Sequence, residues 1–166
     1  MKFGIIKERK NPPDRRVVFT PEELVRLQSE HPEAEIKVES SDIRIFSDDQ
    51  YRNLGLNVTT DMSDCDVLFG VKEVPVDALI PNKKYFFFSH TIKKQPYNRK
   101  LLQAILAKNI ELYDHETIVD ATNHRLIGFG RYAGLVGAYN GFRGFGIKYD
   151  LFTLPKAETL SGKEDL

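Results

Sequence analysis

A chain of 166 residues falls within the size range of one domain, so one compact core is expected rather than two. Lysine plus arginine number 24 and aspartate plus glutamate also 24, which leaves no net field to favour nucleic acid or an anionic membrane as partner. The single cysteine, Cys65, excludes an intrachain disulfide and is expected as a buried thiol in a reducing, cytoplasmic compartment. The amino-terminal stretch MKFGIIKERK holds no apolar run of signal-peptide length, and no window approaches the roughly 18 apolar residues of a membrane span.

Along the chain, apolar runs alternate with helix-like segments, the pattern of parallel strands joined by crossover helices. Phe3 to Ile6 predicts the first strand. After the loop NPPDRR, Thr20 is placed to cap a helix, with Pro21 at its first position and Glu23 closing a capping box; the helix runs to about Gln28. Ile36 and Val38 predict a second strand, and SDDQYRNLG a short helix stopped at Gly55. Val67 to Val71 and Tyr85 to Phe88 are continuously apolar, so they are expected as central strands covered on both faces. Between Gln95 and Lys108, Tyr97, Leu101 and Ile105 recur every four residues, and Leu102 and Leu106 widen the stripe into a helix packed on the sheet. Glu111 to Tyr113 and His124 to Phe129 read as two more strands, with a Gly- and aromatic-rich helix from Arg131 and a polar tail, AETLSGKEDL. The class is α/β: a three-layer Rossmann-like (flavodoxin-like) domain with a mainly parallel sheet.

In open parallel sheets ligands bind at the carboxyl ends of the strands, so the residue after each apolar run is the one to inspect. Lys72 follows the strand ending at Val71, and His90 follows Phe88-Ser89, so both side chains are candidates for one crevice. Histidine titrates near neutrality and a lysine can be lowered toward it, which makes the two an acid/base pair for an amine or carbonyl substrate. Lone lysines and histidines at strand ends are also commonly solvated or tie down loops, and position by itself does not choose.

The segments GIIKERKNPPDRRVVFTPEEL, LFGVKEVP and FFFSHTIK, in this order, resemble the amino-terminal domain shared by alanine dehydrogenase, the proton-translocating transhydrogenase and lysine-forming saccharopine dehydrogenase. ELYDHETIVD and HRLIGFGRYAGLVGAYNG are most similar to the saccharopine and lysine-ketoglutarate reductase branch, so the resemblance covers almost the whole chain. It implies that Arg16, in RVVFTP, holds a substrate carboxylate, a task suited to the two parallel hydrogen bonds of a guanidinium. It implies that Lys72 and His90 are the catalytic acid/base residues, with Glu73 tuning Lys72. It also implies that Lys93, Glu116 and Arg125 line the substrate pocket; ordinary surface charges are the alternative for Lys93 and Glu116.

The implied activity is that of an NAD- or NADP-dependent oxidoreductase that oxidises a secondary amine to an imine, which water then hydrolyses. Saccharopine carries three carboxylates, and Arg16, Lys93 and Arg125 are three cations to match them; alanine dehydrogenase-like deamination is the runner-up, and a stand-alone amino-acid-binding module the alternative of a different class. The resemblance further implies residues 1–150 as the substrate domain and 151–166 as a polar connection toward an absent NAD-binding domain, which would leave this chain inactive alone. The expected partner is a small amino-acid substrate, with no nucleic acid or membrane, and a homo-oligomer is compatible with all of this.

Gly128-Phe129-Gly130-Arg131-Tyr132-Ala133 matches a dinucleotide fingerprint, G-x-G-x-x-A, between a predicted strand and a helix. A βαβ unit needs about thirty residues and a second strand ending in an acid, and the sequence after Gly146 supplies neither. Close helix packing is therefore the preferred role for these glycines, and no cofactor-binding residue is assigned. His31, His90, His115 and His124 show no paired ligand spacing, so no metal site is expected.

Overall fold

A computed structural model describes residues 1–165. The chain divides into two compact units, Met1–Leu126 and Ile127–Leu166, so the long glycine-rich helix belongs with the polar tail. Among the described residues no helix is long and apolar enough to cross a membrane.

The first unit is built on six parallel strands: β1 (Lys2–Ile5), β2 (Glu35–Glu39), β3 (Asn57–Thr59), β4 (Val67–Phe69), β5 (Lys84–Phe87) and β6 (Glu111–Asp114). Their order across the sheet is β3-β2-β1-β4-β5-β6, the doubly wound order of a Rossmann fold; without the three-residue edge strand β3 it reduces to the flavodoxin-like order. The chain builds outward from β1 to β3, then crosses back to start β4 on the other flank of β1. That reversal opens a crevice at the carboxyl ends of β1 and β4, where residues 6–9 and 70–73 follow the strands.

Three helices accompany the sheet. Helix α1 (Pro21–Glu30) starts as expected, with Thr20 and Glu23 completing a capping box, and α2 (Asp48–Asn53) has its own box from Ser47 and Gln50 and ends before Gly55 at φ 81°. Helix α3 (Arg99–Ala107) begins later than expected, after a 3₁₀ turn at Pro96–Asn98 that holds Tyr97 outward. Its buried stripe is Leu101 and Ile105 alone; Leu102 and Leu106 sit about 100° around the helix from them and are exposed.

Strand alternation splits the core in two. Leu68, Tyr85 and Phe87 point to one face and are sealed by α3 together with Met62, Cys65 and Leu79, which confirms the expected buried thiol. Ile5, Ile36 and Val38 point to the other and meet Leu24 of α1 and Tyr51 of α2. On that second face the expectation of full cover fails over β4 to β6: Phe69 stacks on Phe86 at 4.7 Å and Phe86 on Tyr113 at 4.6 Å, but Phe69 and Phe86 are only half-buried and Tyr113 is exposed. The helices of this face follow β1 and β2, and none follows β4 on that side.

Gly4 lies mid-sheet, where a β carbon would stand 2.6 Å from the Leu68 side chain, 3.0 Å from Met62 Sδ and 3.1 Å from Cys65 Sγ. Gly4→Val is therefore expected to lower stability by about 1–3 kcal/mol through overpacking, read as a reduced urea midpoint; an unchanged midpoint contradicts this packing.

The expected strand at His124 to Phe129 is absent. Instead, Asp120 closes a tight loop by accepting from the Thr122 and His124 amides at 2.8 and 2.9 Å, and a single antiparallel bridge joins Val119 to Arg125. The aspartate satisfies the backbone locally, so this apolar stretch joins no ladder.

The second unit is helix α4 (Gly130–Tyr149) and the tail folded back on it. Tyr139 donates to the Pro155 carbonyl and Arg143 Nε to that of Leu154, both at 3.0 Å. Gly146 is the contact point, since a β carbon there would stand 2.5 Å from the Phe152 carbonyl oxygen.

Candidate active site

The candidate side chains lie in the segments that follow β1, β4, β5 and β6. Lys72 is on the turn after β4, and its backbone amide donates to Glu8 Oε2 at 2.8 Å. Its neighbour Glu73, the expected tuning acid, pairs instead with Lys10 at 3.0 Å. One strand over, Phe88 donates its amide to the Val71 carbonyl, which carries the β4–β5 pairing onward and sets Ser89 and His90 beside the Lys72 turn.

His90 adopts a left-handed backbone, φ 56°, and its carbonyl accepts from Asn98 Nδ2 at 3.2 Å. The ring lies over Phe88 and places Nδ1 3.0 Å from Glu116 Oε2. A carboxylate only accepts, so this contact puts the proton on Nδ1 and leaves Nε2 as the free lone pair. Lys93 Nζ also stands 3.2 Å from Nδ1, but in that tautomer its real partner is Glu116 Oε1 at 3.0 Å. Arg125 completes the group, 3.1 Å from the same oxygen.

Glu116 is thus the hub. Its side chain is 3% exposed, whereas those of Lys93 and Arg125 are half-exposed, so it is no ordinary surface charge. Burial would raise its carboxyl, but the hydrogen bonds from His90 and Lys93 outweigh it and hold the group below the usual carboxylate range. With Oε1 on Lys93 and Arg125 and Oε2 accepting from His90, Glu116 serves to orient all three.

Arg16 is held by a different carboxylate. Its Nε and Nη2 grip the two oxygens of Asp14 at 2.9 and 2.5 Å, and this guanidinium holds Asp14 below its ordinary range. The structure gathers four of the six candidates, His90, Lys93, Glu116 and Arg125, around one carboxylate, while Lys72 follows β4 and Arg16 is held by Asp14. Lys72 borders a small hollow with Glu8 and Arg9, whereas a cavity of about 510 Å³ lined by Phe3, Phe19, Leu24, Leu27, Ile36 and Phe69 includes none of the six.

Several residues that build this rim of the sheet lie outside the sequence-based expectations. Ser89 is fully buried and donates to Asp114, whose other oxygen accepts the Glu116 amide at 2.8 Å, so the pair ties the ends of β5 and β6 together. Glu8 accepts the Val71 and Lys72 amides. His115 donates Nε2–H to the Gly70 carbonyl at 3.1 Å, and among the described residues its Nδ1 is the buried side-chain nitrogen without a partner. Burial lowers its basicity, which keeps it neutral between Phe86 and Phe88. Inspecting the residues just after the first strand as well as after the later ones would have found Glu8.

The fingerprint at 128–133 does not follow a strand directly: α4 opens at Gly130, and β6, the strand before it, ends at Asp114. No group of three histidine, cysteine, aspartate or glutamate side chains among the described residues is placed to hold a metal ion.

The family profile described as Alanine dehydrogenase/PNT, N-terminal domain, matches residues 4–136. This chain belongs to that family. Within the alanine dehydrogenase/PNT family it is 36% identical over 147 residues to the alpha-aminoadipic semialdehyde synthase of Arabidopsis thaliana, which covers 86% of this chain and 14% of that protein. It is 29% identical over 133 residues to the saccharopine dehydrogenase [NAD(+), L-lysine-forming] of Yarrowia lipolytica, covering 77% of this chain and 35% of that one. The fold matches a solved L-alanine dehydrogenase with a TM-score of 0.65 at 18% identity, over 91% of this chain and 42% of that structure. The two dehydrogenases are oxidoreductases by name, and the chain spans less than half the length of each of these three proteins.

Proposed function

We propose that this alanine dehydrogenase/PNT-type domain holds the substrate of a nicotinamide-linked oxidoreductase that oxidises a secondary amine of the saccharopine type to an imine, which is then hydrolysed. The observation that carries this reading is that one buried carboxylate, Glu116, gathers His90, Lys93 and Arg125 one strand away from Lys72. The name of the Yarrowia lipolytica relative, a saccharopine dehydrogenase, supports the same substrate class.

When bound, the nicotinamide supplies the two-electron acceptor. Arg16 offers a planar fork to a substrate carboxylate once Asp14 yields it, while Lys93 and Arg125 present cations to the remaining carboxylates. His90, with Nε2 free, and Lys72 divide the proton work: one accepts the amine proton as the imine forms, and later a group activates water and returns a proton to the departing amine. A cytoplasmic location, suggested by the lone buried thiol, is part of this reading.

The test is the full-length protein assayed for reduction of NAD and of NADP with saccharopine, then with alanine. Turnover of saccharopine is expected. Turnover of alanine in its place moves the protein to the alanine dehydrogenase branch, and calorimetric binding of amino acid without turnover makes it a binding module.

A further inference from the structure

The turn that carries Lys72 is gripped from both flanks. The regular ladder of β4 ends at Phe69, yet the next two amides beyond Gly70 are not left to solvent: Val71 donates to Glu8 Oε1 at 2.7 Å and Lys72 to Glu8 Oε2 at 2.8 Å. Glu8 reaches them from the end of β1, across the reversal point of the sheet, and is 8% exposed. From the β6 side, His115 donates to the Gly70 carbonyl at 3.1 Å, and from β5 the Phe88 amide donates to the Val71 carbonyl at 3.0 Å. Gly70 leaves room for this, since a β carbon there would stand 3.1 Å from Ile6 and 3.5 Å from Glu8 Oε1.

A carboxylate is an expensive choice for a merely structural tie. Burial pushes the Glu8 carboxyl above its usual range, and the two amide hydrogen bonds pull it only part of the way back. The carboxylate offers geometry in return, because two oxygens on one rigid plane take two successive amides and leave the turn no rotation.

We propose that Glu8 is the positioning residue for Lys72, setting the backbone from which its ammonium reaches the crevice at the β1–β4 reversal. The kinetic part of this inference rests on the proposed function; the geometric part does not. Glu8 touches neither substrate nor reacting atoms in this role and acts through the Lys72 backbone. A displacement of the order of 1 Å at a catalytic group costs on the order of a hundredfold in rate, whereas the Arg16 guanidinium, which would hold the substrate, is set by its fork onto Asp14.

The experiment compares Glu8→Gln, Glu8→Asp and Lys72→Met with the wild type at full length, with two readouts: steady-state kinetics with saccharopine and NAD, and acetic anhydride labelling of Lys72 relative to the exposed Lys100 by mass spectrometry. Glu8→Gln puts an amide N–H against a backbone N–H, and Glu8→Asp retracts the carboxylate by one methylene while keeping its charge. Both are expected to lower kcat by about 10–100-fold with KM within about threefold, and to change the Lys72-to-Lys100 labelling ratio. A lower melting temperature with kcat and labelling unchanged makes Glu8 structural only and overturns the inference; where Glu8→Gln fails to fold, Glu8→Asp decides. Normal turnover in Lys72→Met defeats the proposed function instead, and the labelling ratio still decides whether Glu8 places Lys72.

Discussion

Lys72→Met in the full-length enzyme is expected to lower kcat by about 10²–10⁴-fold, the range supplied by a positioned acid or base. Methionine keeps most of the unbranched stem and removes only the ammonium, and the Lys72 amide stays on Glu8, so the turn is not disturbed. The side chain is half-buried at the rim and not in either core, so the melting temperature is expected to stay within about 2 °C. KM should move little, because the guanidinium assigned to the substrate carboxylate is Arg16. Steady-state kinetics beside a thermal melt check this. A large rise in KM with kcat intact would recast Lys72 as a binding cation, and normal turnover would remove it from the chemistry.

Glu116→Gln is the second large effect, and it is felt in both activity and stability. The amide keeps the volume and still accepts from His90 Nδ1, but the charge that draws Lys93 and Arg125 to the same point is gone. With the histidine less firmly oriented, kcat/KM is expected to fall by about 10–100-fold. Charge-assisted hydrogen bonds to a carboxylate this deeply buried contribute about 2 kcal/mol, reduced by the half-exposure of two of its cations, so the urea midpoint at neutral pH should drop.

The pH dependence has a definite sign. Because Glu116 in the fold lies below its ordinary carboxyl range, its ionisation stabilises the protein fully above pH 4.5 and ceases to do so as pH falls through the depressed value. The difference between wild type and Glu116→Gln should therefore shrink below pH 4.5. A difference that is constant from neutral to acid pH would mean that the charge of Glu116 plays no part.

The rim is legible in the residues alone wherever the rule is local. Lys72 and His90 stand directly after apolar runs, and the capping box at Thr20 is given by its spacing to Glu23, because both signals depend on near neighbours in the chain. Glu116 shows the opposite case. In sequence it is one acid in a loop, and only the pairing of β5 with β6 carries it to His90, 26 residues earlier. Strand β3 has no periodic signal because three residues are too few to show one. The apolar content of His124 to Phe129 predicts a strand because it gives no sign that Asp120 satisfies the backbone first.

Composition, periodicity and turn chemistry were sufficient to determine an α/β class, the parallel character of the sheet and the side chains at two strand ends, since each depends on interactions within a few residues. The sheet order, the half-bare aromatic face, the collection of His90, Lys93 and Arg125 by Glu116 and the grip of Glu8 on the Lys72 turn were decided by the tertiary structure. They depend on which distant strand ends become neighbours, and that is chosen by the burial of both sheet faces together.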